Sequence, residues 1–189
     1  MKASIITEAA AQAAKLAQPI KLLLLDVDGV LTDGSITYSV TGNSCSESKT
    51  FHIHDGLGIK LLQRGGVQVG IITGRVSLMV ERRAQELGIS LLLQGREDKY
   101  AAMKAIATDR ALRYEEIAYM GDDLPDLAAI CHAGLGIAPA SAVTRVRERA
   151  DFITHAAGGA GAVREACEFI LAAQGKLLGQ QQAYLEVSL

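Results

Sequence analysis

Five short apolar runs set the limits on how this chain can fold: IKLLLLDV, VQVGIIT, ISLLLQG, IAYMGDD and LGIAPA. Each has the length of a strand but lacks the strict polar alternation of a strand with one wet face. Each therefore reads as a parallel strand covered on both sides. Segments with helical spacing lie between them: GLGIKLLQRGG, GRVSLMVERRAQELG, EDKYAAMKAIATDRALR and LPDLAAICHAG. A further helix and the segment DFITHA follow the fifth run, and GGAGAVREACEFILAAQG reads as the last helix. Alternation at this spacing predicts an α/β fold with a doubly wound, Rossmann-like parallel sheet. Residues 3–18 are Ala-rich with helical spacing and stop at Pro19, which predicts an N-terminal helical arm over 1–19. The polar end predicts a loosely held tail over 179–189, leaving 20–178 as one domain.

One segment breaks the alternation. GSITYSVTGNSCSESKTFHIHD has β-branched and aromatic residues on either side of Thr41-Gly42-Asn43 and reads as a β-hairpin insertion over 34–54. Composition excludes several function classes. A formal net charge of −2 gives no bulk electrostatic case for nucleic acid or an anionic membrane, and 4% aromatic content without Trp offers no stacking platform. No apolar run approaches the roughly 18 residues needed to span a bilayer, and no secretory leader pattern opens the chain. Cys45, Cys131 and Cys167 have no CxxC spacing and read as free thiols, so a cytoplasmic location is expected.

In such a sheet, ligands bind beyond the carboxyl ends of the strands. Those ends carry Asp26 and Asp28, Thr73, Gly95 leading to Lys99, and Asp122 with Asp123. Asp26 and Asp28 are two apart and point the same way in extended backbone. With Asp122 they could hold a hard divalent ion such as Mg²⁺. One carboxylate can attack phosphorus to form an aspartyl-phosphate, and a second can protonate the leaving oxygen and then activate water. Thr73 offers a hydroxyl and a backbone N–H to phosphate oxygens, and Lys99 offers a point charge. Each piece alone has a plain structural explanation: a loop acid, a strand-to-helix turn, a solvated lysine, an N-cap. Their joint occurrence, in order and each after an apolar strand, favours a phosphoryl-transfer site.

These motifs resemble those of the haloacid dehalogenase superfamily of phosphotransferases. DVDGVLTDG is similar to its first motif, IITGR to the second, Lys99 in QGREDK to the third and GDDLPD to the fourth. The resemblance implies that Asp26 is the nucleophile and Asp28 the general acid and base. It implies that Mg²⁺ is held by Asp26, the backbone carbonyl of Asp28, and Asp122, with Asp123 or Asp126 supporting that site. Thr73 and Lys99 would bind and orient the phosphoryl group. From about Ile20 to Leu178 the chain further resembles phosphatases of 3-deoxy-D-manno-octulosonate (KDO) 8-phosphate. DGSITYSVTGN, HDGLGIK and GGAGAVREACEFILAAQGKL carry that likeness. It implies a homotetramer acting on a phosphorylated acidic sugar in lipopolysaccharide synthesis. Substrate contacts are implied for His52, Ile53, His54, Asp55 and Gly56 of HIHDG, for Lys60, for Thr73, Gly74 and Arg75, and for Arg83. Departures fall at His54 and Lys60, where arginines are common; Lys60 keeps the charge but loses bidentate geometry.

Spacing leaves no room for a cap domain. About 45 residues separate Asp28 from Thr73 and about 25 separate Thr73 from Lys99, which elements of ordinary length use up. An open site selects poorly for a small sugar unless another subunit closes it, and the hairpin is the expected cover. Whether Gly158 to Gly161 or the tail enters a neighbouring active site stays open. Alternatives are a phosphatase for a nine-carbon sugar acid 9-phosphate, or a non-catalytic oligomerisation module of a sugar nucleotidyltransferase system. A dead module would be expected to lose some of Asp26, Asp28, Lys99 or Asp122, and all are present. A phosphate-storing receiver domain is disfavoured because Asp28 stands where it would promote hydrolysis.

Overall fold

The computed structural model describes residues 2–185, so the last part of the expected tail lies outside the described residues. Six parallel strands form the central sheet: β1 (Leu22–Leu25), β4 (Gln68–Ile72), β5 (Leu91–Leu93), β6 (Ile117–Met120), β7 (Leu135–Ala138) and β8 (Phe152–Ile153). Their spatial order is β5-β4-β1-β6-β7-β8. The chain winds outward from β1 to β5, returns to β6, and winds outward on the other side. The crevice where this direction reverses lies at the carboxyl end of β1, where Asp26 and Asp28 begin. The sixth strand, β8, is formed by the DFITHA segment.

The four leucines of β1 are fully buried because the sheet has a core on each face. Leu23 and Leu25 pack into one cluster, with α2 (Ile53–Arg64), α3 (Leu78–Glu86) and α7 (Ala162–Ala173). Leu22 and Leu24 point the other way, toward Met103 and Ile106 of α4 (Lys99–Asp109) and Ile130 of α5 (Leu127–His132). The period-2 alternation of strand side chains therefore divides one apolar run between two cores. The helix expected as an N-terminal arm, α1 (Lys2–Ala17), buries Ala13 and Ala17. Gln174 Nε2 at the end of α7 donates to Ile20 O at 2.8 Å, joining that region to the last long helix.

The hairpin is a separate two-stranded antiparallel sheet, β2 (Thr37–Thr41) with β3 (Ser44–Ser48), turning at Gly42-Asn43. Among the described residues, no cap domain covers the carboxyl ends of the strands. α6 (Thr144–Arg147) is a single turn before β8, and α8 (Leu177–Gln182) extends into the region expected as a loose tail. Just beyond α8, Tyr184 accepts a hydrogen bond from Arg64 Nη1 at 2.8 Å. Among the described residues, no helix is long and apolar enough to cross a membrane.

Candidate active site

The strand ends converge on one cleft of about 520 Å³ lined by Asp26, Asp28, Thr73, Lys99 and Asp122, with Gly74, Arg75, Asp123 and Asp126 at its sides. Lys99, the first residue of α4, reaches across the cleft floor. Its Nζ lies 2.8 Å from Asp26 Oδ2 and 2.7 Å from Asp126 Oδ1, and its side chain is 6% exposed. Asp98 starts this helix by accepting a hydrogen bond from the Ala101 N–H, which fixes where Lys99 begins.

Asp126 is wholly committed inside the protein. Its Oδ1 also accepts from the Tyr119 hydroxyl at 2.8 Å, and its Oδ2 accepts from the N–H groups of Asp122 at 3.1 Å and Asp123 at 3.3 Å. It anchors Lys99 and shapes the turn that presents Asp122. Asp123 caps that turn, accepting from the Leu124 N–H at 2.8 Å. Oxygen atoms of Asp26, Asp122 and Asp126 lie within 4.8 Å of one another, an all-oxygen donor set suited to a hard divalent cation. Thr73 is buried, and its carbonyl accepts from the Arg96 N–H at 2.9 Å, which joins the TGR turn to the loop leading to Lys99.

Packing acidic groups together has an electrostatic consequence. Burial, with the charge of Asp126, raises the Asp26 carboxyl to about 7 against the pull of Lys99. Burial, with the charges of Asp126 and Asp123, raises Asp122 to about 6. Burial alone would lower Lys99, but Asp26 and Asp126 outweigh it and raise its pKa. The site is short of positive charge, as a cation-binding site should be.

Two glycines allow the acids to approach. A Cβ on Gly29, which sits at φ +86°, would fall 2.0 Å from Asp122 Oδ2. Beneath it, a Cβ on Gly158 would fall 1.8 Å from Gly29 O. Gly159 N–H donates to Val30 O at 3.0 Å, so the GGAG segment braces the Asp28 loop of its own chain.

The remaining substrate candidates stand elsewhere. Asp55 is 1% exposed and accepts from the Arg164 N–H at 2.8 Å, serving the start of α7. Within one chain its carboxylate does not face the cleft, because α7 begins at Gly161 without a side-chain cap of its own and takes Asp55 instead. Gly56 is buried against Arg83, and the Arg83 guanidinium lies 5.8 Å from the centre of the Phe51 ring. Ile53 and Arg83 line a second cavity of about 430 Å³ with Phe51, Leu78 and Met79. His52 and His54 meet edge to face at 4.9 Å, and Lys60 is exposed on α2. Sequence reasoning missed Glu47, Lys49 and Tyr119, which contact site residues. Glu47 lies in β3 and Lys49 just beyond it, and no local pattern marks either side chain as turned toward the site.

Comparison with known proteins gives these features a lineage. A sequence model of the family described as haloacid dehalogenase-like hydrolase matches residues 92–165. The 3-deoxy-D-manno-octulosonate 8-phosphate phosphatase KdsC of Salmonella typhi is 46% identical over 161 residues, covering 85% of this chain and 84% of the relative. The chain belongs to the KdsC family. KdsC proteins are phosphoric monoester hydrolases, and the fold above is shared by their solved structures. The Moraxella catarrhalis phosphatase, in complex with magnesium ion, phosphate ion and KDO, matches with a TM-score of 0.88 at 43% identity over 92% of this chain and 98% of its own. The Yersinia pestis phosphatase matches with a TM-score of 0.84 at 42% identity over 88% of this chain and 89% of its own.

Two outcomes are expected. Gly29→Ala displaces the Asp122 carboxylate and weakens Mg²⁺ binding by about tenfold or more, measured by titration calorimetry. The second concerns pH. A carboxyl raised in the folded state keeps its proton between the ordinary value of 3.8 and about 7, so metal-free protein loses stability as pH rises through that window. Added Mg²⁺ then stabilises more at pH 7.5 than at pH 5. At about 100 times Kd the gain is about 2.7 kcal/mol, roughly 5–10 °C in Tm by calorimetry.

Proposed function

We propose that the chain hydrolyses 3-deoxy-D-manno-octulosonate 8-phosphate to KDO and phosphate, in the cytoplasm, as a step of lipopolysaccharide biosynthesis. The observation that carries the reading is Asp26 paired with buried Lys99, beside Asp122, at the carboxyl end of the central strand. The KdsC relatives supply the substrate class. Asp26, the backbone carbonyl of Asp28, and Asp122 would hold Mg²⁺, and the donor chemistry and the Gly29 gap fit that ion. When bound, Mg²⁺ supplies charge stabilisation to the phosphoryl oxygens.

The chain's own residues divide the reaction between them. An Asp26 oxygen attacks phosphorus, and the bond from phosphorus to the sugar oxygen breaks. Asp28 gives its proton to that oxygen, releasing KDO and leaving an aspartyl-phosphate. Asp28, now a carboxylate, takes a proton from water as the water oxygen attacks the same phosphorus. Phosphate departs and the Asp26 carboxylate returns. Lys99 offsets the charge of Asp26 and of the incoming phosphoryl group, and the Thr73 hydroxyl donates to a phosphoryl oxygen.

Selectivity for the sugar is assigned to an assembly of four copies. Tyr38 and Val40 on the hairpin are 59% and 71% exposed, and Ile53 and Leu78 beside the second cavity are each 78% exposed. An isolated two-stranded hairpin is marginal in water, which favours a partner over it. In this arrangement His52, His54, Lys60 and Arg83 of one copy serve the cleft of another, and the charges of Lys60 and Arg83 suit a sugar carboxylate.

A panel of sugar phosphates assayed with Mg²⁺ tests the substrate. The eight-carbon acid phosphate is expected to give the highest kcat/KM; preference for a nine-carbon acid 9-phosphate would reassign the substrate. Asp26→Asn is expected to abolish phosphate release while circular dichroism and oligomer size stay unchanged. Tyr38→Asp with Val40→Asp is expected to break the tetramer in light scattering and to raise KM for the sugar phosphate about tenfold or more.

A further inference from the structure

The side chain of Asp28 is not fixed by its own loop. Two cations hold it from outside. Lys49 Nζ contacts Asp28 Oδ1, and Arg75 Nε lies 3.9 Å from Asp28 Oδ2. Both cations are tied in turn to Glu47: Lys49 Nζ lies 3.4 Å from Oε1, and Arg75 Nη2 lies 2.6 Å from Oε2. The four groups close a ring of alternating sign with no net charge. Glu47 belongs to β3 and Lys49 lies one residue beyond it, so the ring docks the base of the hairpin onto the acid.

Burial separates this ring from an ordinary surface pair. The Lys49 side chain is 2% exposed, against 24% for Asp28 and 21% for Glu47. Exposed ion pairs contribute little and are readily exchanged for water, but a buried ammonium persists only where carboxylates compensate its lost hydration. Lys49 is therefore fixed, and what it touches is fixed with it. None of the strand-end motifs includes Lys49 or Glu47.

We propose that Lys49 is a positioning residue for the acid–base group Asp28, and that Glu47 holds Lys49 in place for that task. The inference rests on the phosphatase reading above. Proton transfer requires Asp28 within hydrogen-bond reach of the leaving oxygen, and a displacement of about 1 Å can lower the rate by about 100-fold. Asp28 lines the cleft and Lys49 is not among the lining residues, so Lys49 acts through that carboxylate. It also makes the hairpin part of the catalytic apparatus within a single chain, apart from any cover it gives a neighbour.

Leaving-group chemistry tests this. Release of a sugar alkoxide needs a proton, whereas release of p-nitrophenolate does not, and kcat/KM reports steps up to that release. Lys49→Met is expected to lower kcat/KM for KDO 8-phosphate by about 10- to 100-fold. The same variant should leave kcat/KM for p-nitrophenyl phosphate within about twofold of the parent. Lys49→Arg, which keeps the charge, is expected to restore most of the loss. In an Asp28→Asn background Lys49→Met should add nothing further. Equal losses on both substrates, no loss on either, or additive losses in the double variant would each overturn the proposal. Should Lys49→Met fail to fold by circular dichroism, Glu47→Gln carries the same comparison and must show the same leaving-group dependence. Parent enzyme that hydrolyses neither ester would remove the phosphatase reading itself, and this proposal with it.

Discussion

One buried ammonium organises the acids of this protein. Lys99 lies between Asp26 and Asp126, and all three are nearly or fully excluded from solvent. Without Lys99, two carboxylates would face each other in a poorly hydrated crevice, and neither would readily stay ionised. The ammonium allows Asp26 to be brought close to Asp122, and its tie to Asp126 fixes the turn from which Asp122 projects. Removing one partner of such a set leaves an uncompensated charge, which is far more damaging than losing a surface pair. The same contacts that hold the fold together at this point set the charge of the site.

A second ionic assembly lies a few residues away and has a different character. The Asp28, Lys49, Glu47 and Arg75 ring is more exposed at three of its four members and joins elements outside the central sheet. The Lys99 assembly is built on strand and helix ends; the ring is built on the hairpin. Asp26 is thus supported by the rigid sheet and Asp28 by an appended element. Two carboxylates only two residues apart are governed by different parts of the fold.

Most of the sheet was legible because apolar runs with both faces buried leave a plain trace. The four leucines of β1 are the clearest example, since no amphipathic alternative explains them. The residues of the four motifs were legible for a similar reason: strand ends and helix starts are fixed by local pattern, and the sheet brings them together. DFITHA was not assigned because its strand is only two residues long, too short for any period to register. Asp55 gives no sign in the sequence that it serves the start of α7, because a carboxylate at the start of one helix carries no mark of a second helix. Its contact with Arg164 spans 109 positions in the chain, and nothing local encodes it. Lys49 escaped notice for the same reason, since SESKTF reads as a solvated hairpin edge until the fold closes it over Asp28.

The position of β1 has a consequence for synthesis. It pairs with β4 on one side and β6 on the other, at Gln68–Ile71 and Ile117–Met120. A ribosome releases Leu22–Leu25 long before it releases either neighbour. Through about half of translation the most apolar strand of the protein therefore has at least one edge with no backbone partner, a state open to pairing with other chains. The feature that makes β1 the centre of the finished sheet makes it the strand that waits longest for its second neighbour, and the nascent chain has to carry that exposed edge for about 95 residues.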